Sequence, residues 1–257
     1  MLRSICLCGR ETPQSRAPDL YLHLDLRCQR FIMPAAFTMR DRIMTTDRPA
    51  HTPPSDTPQS EDRSGFDWEA RFQADDAPWE RQGLHPALIE WLDSGVLKPG
   101  QTVLTPGCGR SQEPAFLAQH GLSVIATDIA PSAIAWQKAR FDRAGVTAQA
   151  LETDALAWRP EKPVDVLYEQ TFLCAIHPKK REEYEAMAHA SLKPGGLFLA
   201  LFMQKSERGG PPYGCSLNAM RALFTEDRWR WPEAEPRPYP HGGLNDKAEL
   251  GMVLTRL

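Results

Sequence analysis

No stretch of this 257-residue chain approaches the roughly 18–20 consecutive apolar residues that a membrane-spanning helix needs, so none is expected. Positive charge is not in excess either. Lys and Arg number 30 against 33 Asp and Glu, a formal net charge of -3, which disfavours nucleic acid as a main partner. Cysteine is scarce and irregularly spaced (Cys6, Cys8, Cys28, Cys108, Cys174, Cys215), which excludes a disulfide framework. Cys6-x-Cys8 with a distant Cys28 lacks a fourth ligand, so no zinc site is expected. Reduced thiols in the cytoplasm fit this usage. What remains is 42% hydrophobic and 25% charged, the composition of a globular protein with one sizeable core, monomeric by default.

The chain divides near residue 65. Residues 1–65 show no sustained hydrophobic period, and Arg48 to Gly65 carries Pro49, Pro53, Pro54 and Pro58, so this segment is expected to be a disordered extension. Its apolar pieces are broken by His23, Asp25 and Pro34 and form no secretory signal. Met33, Met39 and Met44 are candidate internal starts, with Met44 the foremost.

From Phe66 onward strand and helix signals alternate. Strands are expected at 101–106, 122–127, 146–152, 164–168, 196–203 and 250–257. Helices are expected at 85–96, with Leu88, Ile89 and Leu92 on one face, and at 113–120 and 132–144. A further helix is expected at 179–192, with Tyr184, Met187, Ala188 and Ser191 inward. Such alternation predicts an α/β fold with a mostly parallel sheet covered on both faces.

Val103-Leu104-Thr105-Pro106-Gly107-Cys108-Gly109-Arg110-Ser111 reads as a strand entering a glycine turn that opens a helix. Without Cβ atoms at Gly107 and Gly109, backbone amides can approach a ligand. The dinucleotide fingerprint would need a third glycine where Gln112 stands, which disfavours a nicotinamide or flavin cofactor. Asp128 ends the second strand, about 20 residues on, where a carboxylate accepts hydrogen bonds from two ribose hydroxyls. Asp154 ends the third, placed for the exocyclic amine of adenine, with Ile129 and Ala155 offering apolar faces to the ring. An aspartate after a strand is also commonly just a cap or turn residue. Taken together, the three features describe an adenosine held without a pyrophosphate, as in S-adenosylmethionine.

Four strings then resemble the thiopurine methyltransferase family, and more closely its thiol and halide (thiocyanate) branch. They are Trp68-Glu69-Ala70-Arg71-Phe72 with Pro78-Trp79-Glu80; the Pro-Gly-Cys-Gly turn; Glu169-Gln170-Thr171-Phe172-Leu173-Cys174-Ala175-Ile176-His177-Pro178 with Arg181; and Gly209-Gly210-Pro211-Pro212-Tyr213. The resemblance covers Phe66 to Leu257 and implies a class I, Rossmann-like fold with a seven-stranded sheet. It implies that Trp68 and Trp79 close over S-adenosylmethionine, that Gly107 meets its methionine portion, and that Asp128 and Asp154 with Ala155 take the ribose and adenine. Phe72, standing where the halide branch often has tryptophan, keeps an aromatic wall. Glu169 and Gly109 are counted with the cofactor residues. Arg181 matches an arginine beside the substrate in the thiopurine branch, whereas Gln170 departs from the tyrosine of some plant-like members.

The expected reaction is methyl transfer to a small soft nucleophile: a thiol, hydrosulfide, a thiopurine, a halide or thiocyanate. Trp68, Phe72, Trp79, Tyr168, Phe172 and Tyr213 are candidates to line a dry pocket, with ring faces favouring a sulfonium. Arg181 would attract an anionic acceptor, and His177 would serve as base for a neutral thiol. The alternatives are an oxygen, nitrogen or metalloid acceptor on the same fold, and a non-catalytic adenosine-binding regulator.

Overall fold

The computed structural model describes residues 66–245 and 247–257. The predicted N-terminal extension, its candidate starts and Cys6, Cys8 and Cys28 lie outside the described residues.

Among the described residues eight strands form one sheet: β1 (Thr102–Pro106), β2 (Ser123–Asp128), β3 (Gln149–Glu152), β4 (Val164–Gln170), β5 (Leu192–Met203), β6 (Trp229–Arg230), β7 (Arg237–His241) and β8 (Lys247–Arg256). Their order is β3-β2-β1-β4-β5-β8-β6, with β7 also paired to β8. The first five are mutually parallel, whereas β8 runs antiparallel to β5 and carries β6 and β7 antiparallel on its other side. Thr255 pairs with Leu197 on one side and Arg230 on the other; Gly251 likewise pairs with Leu201 and Arg237. β6 and β7 therefore occupy a single, seventh position, interrupted between Trp231 and Pro236. The expected seven strands and the observed eight differ only by that break.

Among the described residues there are six helices, α1 (Trp68–Gln73), α2 (Pro86–Asp93), α3 (Glu113–Gln119), α4 (Pro131–Ala144), α5 (Arg181–Ser191) and α6 (Leu217–Leu223), of which α1 packs on α4. Alternation along the strands sends successive side chains to opposite faces. Val103, Val166, Leu199 and Leu201 pack with Leu88 and Trp91 of α2 and Leu117 of α3. Leu104, Leu167, Phe198, Ala200 and Phe202 pack with Tyr184 and Met187 of α5 and Met220 of α6. All four residues expected on the inner face of α5 are buried. Helix α2 is turned from its expected setting: Ala87, Leu88 and Trp91 are buried, while Ile89 and Leu92 sit at the margin, because Trp91 fills the space against Tyr168.

Parallel pairing places the C-terminal ends of β1, β2, β3 and β4 along one edge, and the turns that follow them open there. Each turn is set by local chemistry. Gly107 (φ 59°) and Gly109 (φ 50°) adopt left-handed backbone after β1. The Asp128 carboxylate accepts the Ala130 amide before α4 at 2.9 Å.

Candidate active site

A cavity of about 210 Å³ opens at this edge, bounded below by the glycine turn and above by α1 and the segment after it. Of the residues expected in the site, Trp68, Phe72, Trp79, Gly107, Gly109, Asp128, Ile129, Asp154, Ala155, Tyr168, Phe172 and His177 line it. The glycine turn is a close approach in fact: a Cβ on Gly107 would lie 2.3 Å from Cδ2 of Phe172, and one on Gly109 3.3 Å from Cζ of Phe72.

Both aspartates hold the local backbone as well as facing the cavity. Asp128 Oδ2 accepts the Gly109 amide at 2.7 Å, cross-linking the turns after β1 and β2, while Oδ1 accepts Ala130. Burial raises its carboxyl pKa, against the pull of three amides, with the Glu69 charge adding to the rise. Asp154 Oδ1 accepts the Leu156 amide at 2.9 Å. Each carboxylate has further lone pairs beyond these bonds.

The upper wall is aromatic. Trp79 meets Trp68 edge to face at 5.3 Å and Phe72 at 5.8 Å, and the Arg71 guanidinium lies 4.9 Å from the Trp79 ring centre. Polar bonds tie this wall to the sheet. Arg110 of the glycine turn reaches Glu80 at 2.6 Å and Asp75 at 2.7 Å, and Glu69 accepts the Ser132 amide of α4 at 2.9 Å. On the far side Arg81 pairs with Glu249 at 2.7 Å, and His85 donates to the same carboxylate at 3.2 Å. Burial pushes the Glu249 carboxyl upward, but the hydrogen bonds from His85 and Arg81 outweigh it, and the group titrates below its ordinary range. Arg110, Glu80, Lys180 and Thr171 line the cavity or shape its rim without having been singled out. Glu80 and Arg110 lay inside quoted strings, but nothing in the sequence paired residues 30 positions apart.

Three expected site residues lie behind the wall. Arg181, buried at the start of α5, gives Nη2 to the Gly214 carbonyl at 2.9 Å and contacts Cys215 Sγ at 3.2 Å, so it braces the 213–215 segment. Its neighbour Lys180 faces the cavity instead and is paired with Glu183. Glu169 is fully buried, and Tyr213 packs edge-on to His177 at 5.5 Å with its amide on the Cys174 carbonyl. His177 accepts the Lys179 amide at Nδ1, 3.2 Å away, so the neutral ring carries its proton on Nε2. Cys108 and Cys174 are free, and burial raises both thiols well above their usual range, leaving them neutral. Among the described residues, no group of three or more His, Cys, Asp and Glu is placed to hold a metal ion.

A mostly parallel sheet, a glycine turn a Cβ would obstruct, and carboxylates at the next two strand ends define the Rossmann-like cleft of an S-adenosylmethionine-dependent methyltransferase. Solved structures share the fold. A methyltransferase of Aquifex aeolicus aligns with a TM-score of 0.54 at 20% identity, over 75% of this chain and all of its own. TehB of Haemophilus influenzae aligns with a TM-score of 0.55 at 16% identity, over 68% of this chain and 63% of its own. The model of the thiopurine S-methyltransferase family matches residues 65–237, and the chain belongs to that family. Relatives come from both of its branches. Thiocyanate methyltransferase 1 of Arabidopsis thaliana is 25% identical over 190 residues, 72% of this chain and 82% of its own. A probable thiol methyltransferase of the same plant is 30% identical over 162 residues, 62% of this chain and 71% of its own. The thiopurine S-methyltransferase of Azotobacter vinelandii is 29% identical over 180 residues, 62% of this chain and 81% of its own. Among the described residues no helix is long and apolar enough to cross a membrane.

Proposed function

We propose that residues 66–257 form one domain that transfers the methyl group of S-adenosylmethionine to a small, soft nucleophile: a thiol, hydrosulfide, a thiopurine, a halide or thiocyanate. The observation that carries this reading is that the basic groups on the cavity wall are already engaged. His177 Nδ1 accepts an amide, Lys180 is paired with Glu183, Arg81 with Glu249, and Arg110 with Glu80 and Asp75. An acceptor that needs no deprotonation suits such a wall. A thiolate, hydrosulfide or halide is already a competent nucleophile at neutral pH, whereas an alcohol or amine requires an available base.

The cofactor supplies an electrophilic methyl on a cationic sulfonium. In our reading Asp128 accepts from the ribose hydroxyls and Asp154 from the adenine amine. Ile129 and Ala155 flank the ring, and Gly107 and Gly109 admit the methionine portion. Trp68, Phe72 and Trp79 close the upper side and exclude water. Attack of an anion on a cation annihilates charge, so water holds the separated reactants more strongly than the transition state. An aromatic, desolvated wall that also aligns the two reactants therefore lowers the barrier. The buried free thiols of Cys108, Cys174 and Cys215 suit a reducing compartment, and we place the protein in the cytoplasm, acting as a monomer.

The test is formation of S-adenosylhomocysteine by purified protein given S-adenosylmethionine and, separately, hydrosulfide, an aryl thiol, a thiopurine, iodide and thiocyanate. Turnover with at least one is expected, and the ranking assigns the branch. Cofactor binding with no turnover on any of them would refute the soft-nucleophile reading and favour an oxygen or nitrogen acceptor or a binding role.

A further inference from the structure

Glu169 stands next to last in β4 with no exposed surface, between Tyr168 and Gln170, which both line the cavity. Its Oε1 accepts two consecutive amides, Phe172 at 3.1 Å and Leu173 at 2.8 Å, and its Oε2 accepts the Tyr184 hydroxyl of α5 at 2.7 Å. Between the carboxylate and those amides lies Thr171, whose φ of 57° is left-handed. A β-branched residue resists that region, so something must hold it there. The same turn delivers Phe172, whose ring fills the space a Cβ on Gly107 would occupy and meets Tyr184 at 5.7 Å.

We propose that Glu169 is a positioning residue: its three hydrogen bonds hold the Thr171 turn in its strained conformation and thereby seat Phe172 against the glycine turn, forming the cavity wall where the two loops meet. The carboxylate itself does not line the cavity, whereas Phe172, alone among its three bonded partners, does, which separates its role from direct contact with the cofactor. Burial lifts the carboxyl to about 7. Of the titratable groups around it, Tyr184 of α5 bonds it and the Glu249 charge of β8 adds to the rise, while the Glu169 charge in turn raises Tyr168 of β4, Tyr184, Cys174 and Cys215, all neutral. Protonation need not break the arrangement, since Oε1 can keep both amides while Tyr184 turns from donor to acceptor. A glutamine satisfies the same three partners.

The proposal rests on the reading that this cavity holds the cofactor, but its first readout does not. In cofactor-free protein, Glu169→Ala is expected to speed hydrogen exchange of the Phe172 and Leu173 amides at least tenfold, with the Val103 and Leu199 amides of the sheet unchanged. Calorimetric titration should show S-adenosylmethionine affinity at least tenfold weaker, and Glu169→Gln should stay within about threefold of wild type in both. Thr171→Gly relieves the backbone and should shrink the effect of Glu169→Ala. Should Glu169→Ala fail to fold, Tyr184→Phe, which removes one bond of three, should give a smaller increase at the same two amides. Unchanged exchange in Glu169→Ala or, failing that, Tyr184→Phe, or a Glu169→Gln variant as impaired as Glu169→Ala, would overturn the proposal. Faster exchange with undiminished cofactor affinity would leave the turn held as described but refute its role in shaping the site.

Discussion

Replacing Gly107 by alanine tests the contact between the glycine turn and Phe172 more directly than any other single change. The new Cβ would meet Cδ2, Cγ and Cβ of Phe172 at 2.3, 2.5 and 2.9 Å, well inside the roughly 3.5–4.0 Å of an ordinary carbon contact. Phe172 has little freedom to withdraw, because its amide is bonded to Glu169 and its ring abuts Tyr184. Two costs add. Left-handed backbone at a non-glycine residue costs about 1–2 kcal/mol, and overpacking of a filled site costs about 1–3 kcal/mol. The sum, roughly 2–5 kcal/mol, lowers the melting temperature by roughly 4–20 °C in a domain of this size. Gly145 serves as the control: its φ is 65° and nothing lies within 4 Å of its virtual Cβ, so Gly145→Ala reports the backbone cost alone. Gly109, with a single close neighbour at 3.3 Å, should fall between. Thermal unfolding of the three variants gives the ranking, and calorimetric titration should show that Gly107→Ala also loses cofactor affinity. A Gly107→Ala protein no less stable than Gly145→Ala would show that Phe172 is not seated where the structure puts it.

Asp128→Asn keeps an acceptor for one amide but loses the charge that strengthens bonds to hydroxyl donors; a loss of about 1.5–3 kcal/mol, roughly 10- to 100-fold in cofactor Kd by titration, is expected. His177→Gln should leave kcat/KM for a neutral thiol within about threefold at neutral pH, since Nδ1 is committed to the Lys179 amide; a hundredfold loss with the thiol and none with iodide would make the ring a base after all. Glu249→Gln strands the Arg81 guanidinium and should cost about 3 kcal/mol in urea unfolding at pH 7. Because the folded carboxyl is held below its ordinary 4.5, its stabilisation is present above that value and lost as pH falls through the folded one. The wild type should therefore lose stability more steeply than the variant below about pH 4.5.

The sheet was legible because its strands are short apolar runs separated by amphipathic helices; burial and periodicity there say the same thing. The 204–240 segment was not. β6 has two residues and β7 alternates with Pro238 and Pro240, so neither carries a hydrophobic run that distinguishes strand from loop. Helix α1 has six residues and was visible only as part of a quoted string. Within the site, positions carried by the glycine turn and strand ends were readable, because backbone geometry demands those residue types. Arg181 and Lys180 show the limit: adjacent in sequence, they point to opposite sides of the wall, and only the packing of α5 on Gly214 and Cys215 decides which faces the cavity. For Asp128 and Asp154, ligand binding and backbone capping are alternative reasons for an aspartate after a strand. Both carboxylates do bond nearby amides while still lining the cavity, so the two roles are compatible.

The broken seventh strand position bears on what the sheet can recruit. A free strand edge with unpaired amides is a template for another chain. Pro238 and Pro240 of β7, with Pro236 just before it, fall at every second residue of this edge, which pairs with β8 along its whole length from Arg237 to His241. Prolines have no N–H, so the donors an incoming strand would seek are missing at each of those positions. The Pro240 carbonyl is in addition taken by Arg81 at 2.9 Å. Strand-to-strand pairing along this margin is thus disfavoured by the chain's own chemistry.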